Sequence, residues 1–67
     1  MIQPGKEDNM NKEYRVDTFN GSNHKKTYFD TEDSARAYGH DKVKRGFITF
    51  LLKEIIPNIY DVIEEIR

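Results

Sequence analysis

One stretch decides what this chain can fold around: Phe47-Ile48-Thr49-Phe50-Leu51-Leu52-Lys53-Glu54-Ile55-Ile56, the only long apolar run in a polar sequence. A core has to form on it, because removing apolar surface from water is the main favourable term in folding. Residues 47–50 are aromatic or β-branched, which suits a strand. Pro57 bars a helix from running onward, at a cost of about 3 kcal/mol. The run therefore reads as a strand, although Ile48, Leu51, Leu52, Ile55, Ile59, Val62, Ile63 and Ile66 also form a stripe at helical spacing.

The residues before the run supply partners for it. Tyr14, Val16 and Thr18 alternate with Arg15 and Asp17, the period of a half-buried strand. Asn20-Gly21-Ser22-Asn23 is a hairpin turn, and Lys25-Lys26-Thr27-Tyr28-Phe29 is the returning strand. Asp30 and Thr31 are helix caps, followed by Glu32 and Asp33 at the positive end of the dipole. Ala35, Tyr38 and Val43 make a thin apolar stripe, Lys42, Lys44 and Arg45 occupy the last turn, and Gly46 is placed to end the helix. A helix of about residues 31–45 is expected.

After the run, Pro57 fits the first turn of a helix that buries Ile59, Val62, Ile63 and Ile66. The expected fold is α+β, a β-β-α-β-α domain over residues 13–67. Its three-stranded antiparallel sheet has the order 2-1-3, packed with one main helix and a short C-terminal helix. A hairpin followed by two or three helices is the alternative. Residues 1–12 are expected to be a flexible tail, with Met10 a possible second start.

At 67 residues the chain holds one domain, and such a domain buries only about 60% of its unfolded surface. Without cysteine it has neither a disulfide framework nor a thiolate metal site. Self-association is a common remedy for that deficit. A third strand at the sheet edge, apolar on both faces, would leave Phe47, Thr49 and Leu51 as a self-association surface, and a homodimer is expected.

No constellation for catalysis emerges. Ser22, Ser34 and Thr49 lack a nucleophile elbow and an oriented base. The histidines, His24 and His40, have no ligand spacing around them, so neither metal nor cofactor is expected. The four glycines are scattered rather than gathered into a phosphate cradle. A non-enzymatic binding or regulatory protein is expected, acting on another protein, with Asp61, Glu64 and Glu65 as a carboxylate face on the final helix.

The alternative is a small nucleic-acid-binding regulator using Arg15, Lys25, Lys26, Lys42, Lys44 and Arg45 beside Tyr14 and Tyr28. A formal net charge of -1 gives no general attraction to phosphate. The apolar run is too short, and too interrupted by Lys53 and Glu54, to span a bilayer, and it lies far from the N-terminus, so a cytoplasmic location is expected.

Tyr14-Arg15-Val16, the Asn20-Gly21 turn, Lys25-Lys26 and Phe29-Asp30-Thr31-Glu32-Asp33-Ser34-Ala35 together resemble the hairpin-then-helix pattern in arm-binding N-terminal domains of phage integrases. The chain departs from that family by adding an apolar strand after the helix. Very small, charged, cysteine-free chains of this style are common among accessory proteins of phages and mobile elements, including inhibitors of host enzymes. A role of that kind is expected here.

Overall fold

Gly21 takes a left-handed φ of +64°, and it opens the turn between β1 (Tyr14–Asn20) and β2 (Asn23–Phe29). Asn20 and Asn23 are the last opposed pair, so the two-residue loop is Gly21-Ser22, with glycine where a II′ turn requires it. These coordinates are a computed structural model that describes residues 12–67. The tail expected over residues 1–12 and the start at Met10 lie outside the described residues, except for Lys12. That residue is tied down, because its carbonyl accepts a 2.7 Å hydrogen bond from the Tyr60 hydroxyl and its ammonium sits 3.4 Å from Asp30.

Helix α1 (Glu32–Lys44) forms where both end signals put it. Thr31 is extended, and its Oγ1 accepts from the Ser34 amide at 3.2 Å. At the other end Gly46 is left-handed at φ +92°. Its N–H donates to the Val43 carbonyl and that of Phe47 to the Lys42 carbonyl, each at 3.0 Å. This pair of bonds is a Schellman stop, which satisfies carbonyls the helix would otherwise leave bare.

The chain then forms β3 (Ile48–Ile56) and β4 (Ile59–Ile66), giving among the described residues a four-stranded antiparallel sheet in the order β2-β1-β3-β4 with one helix. The three-stranded sheet with a C-terminal helix is overturned, and so is the hairpin followed by helices. Pro57 does not start a helix; it sits in a two-residue turn between the opposed Ile56 and Ile59. Asn58 carries the positive φ, 69°, the pattern of a type II turn with proline first and asparagine second. The Glu54 carboxylate accepts the Asn58 amide at 2.8 Å and holds that turn.

The helical spacing of Ile59, Val62, Ile63 and Ile66 has a different origin. Val62 opposes Leu52 but Glu64 opposes Leu51, so Ile63 is an extra residue in β4. A bulge of this kind shifts the period-2 pattern by one position, and two alternating runs joined out of phase mimic a 3.6 period.

Directly opposed residues of antiparallel neighbours share a face. Tyr14, Val16, Thr27, Phe29, Thr49, Leu51 and Ile66 therefore lie on one face, and α1 covers it with Ala35, Tyr38, Gly39 and Val43. Val16, Ala35, Leu51 and Ile66 form the buried cluster, each large aliphatic side chain there contributing roughly 1.5–3 kcal/mol. Gly39 allows the close approach, since a Cβ there would overlap Ile66 Cδ1 and lie 3.3 Å from Thr49 Cγ2.

This arrangement corrects the expected self-association surface. Thr49 and Leu51 are completely buried beneath the helix within one chain, and Phe47 is half-buried. Nor is β3 an edge, because β4 pairs along it.

Candidate functional site

The second face of the sheet has no helix over it among the described residues. Alternation brings Arg15, Asp17 and Phe19 of β1 to this open face, with His24, Lys26 and Tyr28 of β2. From β3 come Ile48, Phe50, Leu52 and Glu54, and from β4 Tyr60, Val62 and Glu65.

Those side chains form a layer on the sheet. The Phe19 and His24 rings stack at 4.2 Å, and Phe50 meets Phe19 edge-on at 6.0 Å. Tyr28 meets Tyr60 edge-on at 5.6 Å, with the Arg15 guanidinium 5.1 Å from the centre of the Tyr60 ring. Leu52 is 4% exposed on a face without a helix, so the neighbouring side chains of the layer cover it. Burial pushes the Tyr60 phenol up from its ordinary range; Glu54 and Tyr28 push the same way and Arg15 opposes them.

A polar network runs through the layer. Arg15 donates to both oxygens of Asp17, at 2.7 and 3.0 Å, and His24 Nε2 lies 3.4 Å from Asp17 Oδ2. Asp17 is only 7% exposed, so its partners are what make its burial affordable. Two-point pairing also fixes the guanidinium plane, which presets the shape of the face.

The residues of the nucleic-acid alternative do not converge. Arg15 is committed to Asp17, and Lys26 opposes that carboxylate across β1 and β2. Lys25 belongs to the helix side of the sheet. At the end of α1, the Lys42 ammonium lies 5.3 Å from the centre of the Tyr38 ring and 5.0 Å from that of Phe47. Arg45 pairs with Asp41 at 2.9 Å, and Lys44 is exposed. Tyr14 lies on the helix side, apart from Tyr28.

Asp61, Glu64 and Glu65 do not share a face either, since they belong to a strand. Asp61 and Glu64 are on the helix side and Glu65 on the open side. Glu64 binds Arg36 at 2.6 Å and Glu65 binds Arg67 at 3.1 Å. Hydrogen bonds donated to Glu32 and Glu64 hold the Arg36 guanidinium above its ordinary pKa.

Every exposed large hydrophobic among the described residues lies on β3 or β4: Ile48, Ile55, Ile56, Ile59, Val62 and Ile63. Sequence reasoning missed Phe19, His24, Phe50 and Tyr60 as one surface. The available signal was the Phe19/His24 placement astride the hairpin turn, while Tyr60 was hidden by the expected helix. His40 is exposed on α1. The described residues enclose no cavity and bring no three metal-binding side chains together. No described helix is long and apolar enough to cross a membrane.

No family model matches the chain, and no curated protein or solved structure matches it either. The likeness of residues 14–35 to the integrase pattern thus gains no support beyond the hairpin and helix themselves.

Proposed function

We propose that this is a non-enzymatic binding protein that acts by occupying another protein, and that the open sheet face is its contact surface. One observation carries the reading: an aromatic-rich face whose charges are already balanced. Phe19, Tyr28, Phe50, Tyr60 and Arg15 are of the residue types enriched at protein interfaces and their hot spots. Ring stacking and the Arg15–Asp17 pair restrain them before any partner arrives, which lowers the ordering cost of association. Ile48 and Val62, 57% and 53% exposed, add apolar area at its margins.

The charge balance favours protein over nucleic acid. Arg15 and Lys26 on this face are set against Asp17, Glu54 and Glu65, so there is no electropositive track for a phosphate backbone. A cytoplasmic site of action accords with the absence of cysteine. The accessory or inhibitory role fits a protein that works by occupancy alone.

The test is cross-linked capture from the source cell, followed by reconstitution with the purified partner. Ile48→Asp and Phe50→Ala should each weaken the reconstituted complex by about thirtyfold, the scale of an interface hot spot. A single-stranded oligothymidylate should not be retained at low salt. Steeply salt-dependent retention of that oligonucleotide, or a partner affinity indifferent to both substitutions, would overturn the proposal.

A further inference from the structure

Among the described residues, the helix side of the sheet is only half covered. Strand β1 ends its pairing with β3 at Tyr14 and Lys53. The residues just before β1 are linked to the ribbon by the Glu54 amide donating to the Glu13 carbonyl at 2.8 Å and the Tyr60 hydroxyl donating to the Lys12 carbonyl at 2.7 Å. Beyond these links, among the described residues, the β3–β4 ribbon continues alone to its turn. The molecule is correspondingly long, 38 × 21 × 18 Å. Its radius of gyration is 12.0 Å, against about 10–11 Å for a compact chain of this size.

On the helix side of that ribbon stands a shelf of isoleucine. Ile56 and Ile59 are opposed, and a slip in register makes Ile55 an extra residue beside them. Ile63 is the extra residue next to Glu64, opposite Leu51. Residues at such bulges stand two against one on the partner strand, so all four isoleucines accompany the face that α1 leaves bare. Their exposures are 59%, 58%, 50% and 48% for Ile55, Ile56, Ile59 and Ile63. Large apolar side chains gathered on one exposed face of a small protein mark a contact site.

The charges on the shelf identify what covers it. Lys53 and Asp61 oppose each other in its middle, and both are exposed. Asp61 takes part in none of the ion pairs among the described residues, while the Lys53 ammonium lies 5.9 Å from the centre of the Tyr14 ring. One cation and one carboxylate amid isoleucines make a neutral patch that is complementary to itself. An isologous interface requires that property, because residue i must meet residue j and j must meet i.

We propose that the shelf is a homodimer interface, in which two β3–β4 ribbons pack face to face about a twofold axis. Lys53 of each copy then meets Asp61 of the other, and the isoleucines of the two ribbons interdigitate. This builds on the reading of the protein as a binding module, yet it uses the opposite side of the sheet. Two open faces therefore remain available to partners.

The test is sedimentation equilibrium from micromolar to millimolar concentration, with thermal melts to verify folding. The wild type should sediment as a dimer. Lys53→Asp and Asp61→Lys each place like charges across the axis and should raise the dimer dissociation constant by at least about tenfold. An equimolar mixture of the two variants should recover dimer mass, because every cross-axis pair in the mixed species is again opposite in sign. Ile59→Lys should be a folded monomer that the mixture experiment cannot rescue.

A monomeric wild type would overturn the proposal, including one that instead binds vesicles of neutral lipid through Ile59. So would charge variants that dimerise like the wild type, or a mixture that stays monomeric. Loss of partner binding in Ile48→Asp with the dimer intact would leave this inference standing, whereas partner binding by a monomeric wild type would leave only the functional reading.

Discussion

Gly39 is where helix and sheet come closest, and a cycle of two substitutions measures how tightly. Replacing Gly39 with Ala raises intrinsic helix stability by about 1 kcal/mol. The added methyl group, however, overlaps Ile66 Cδ1 and stands 3.3 Å from Thr49 Cγ2. Ile66 is 3% exposed and Thr49 completely buried, so neither can swing into solvent. Overpacking of this kind costs about 1–3 kcal/mol, and the net for Gly39→Ala is a loss of about 1 kcal/mol.

Ile66→Val removes the atom that the new methyl group strikes, and alone costs about 1 kcal/mol as a small cavity. Together the two changes should nearly cancel, because the alanine Cβ occupies the space that Cδ1 vacates while the helix keeps its gain. The double variant should lie within about 0.5 kcal/mol of wild type, against about 2 kcal/mol lost if the changes were independent. Urea unfolding of all four proteins, with equal m-values, reads the coupling. Additivity within about 0.5 kcal/mol would refute the packing of α1 on β4.

The turn and the open face give further expectations. Asn58→Ala should cost about 1 kcal/mol in urea unfolding, because φ 69° is disfavoured for alanine, whereas Asn58→Gly should be close to neutral. Tyr60→Phe should lose about 1 kcal/mol with the hydrogen bond to the Lys12 carbonyl. The raised Tyr60 pKa means that the folded state holds this proton more tightly than the unfolded chain. Its contribution is therefore complete below about pH 10 and lost as pH climbs through the folded pKa. Alkaline urea titrations of wild type should show that decline, and Tyr60→Phe should lack it.

What could be read from the sequence was whatever local chemistry determines alone. The hairpin was legible because glycine is needed at its tip, and α1 because Thr31 and Gly46 mark its ends independently. The long run was recognisable as a strand, but not which side faces in. Ile48, Phe50 and Leu52 are as apolar as Phe47 and Leu51, so alternation carries no phase there. Pairing of Val16 with Leu51 decides it, a contact between distant parts of the chain.

Strand β4 was hidden twice. Its bulge at Ile63 counterfeits helical spacing, and Pro57 is as apt for a type II turn as for a first helical turn. The β-branched residues Ile55, Ile56, Ile59, Val62, Ile63 and Ile66 were the signal on the other side. Misreading β4 as a helix also scattered the candidate site, since Tyr60 could not then join Arg15 and Tyr28. The carboxylates of Glu64 and Glu65 likewise looked like one face.

The open aromatic face and the isoleucine shelf both exist only if residues 59–66 form a strand in this register. Nuclear Overhauser contacts in the labelled protein test that most directly. The account predicts cross-strand backbone contacts between Leu52 and Val62 and between Phe50 and Glu65, with slow amide exchange along β3. Sequential amide contacts with i to i+3 contacts through residues 58–66, and none across to β3, would contradict it.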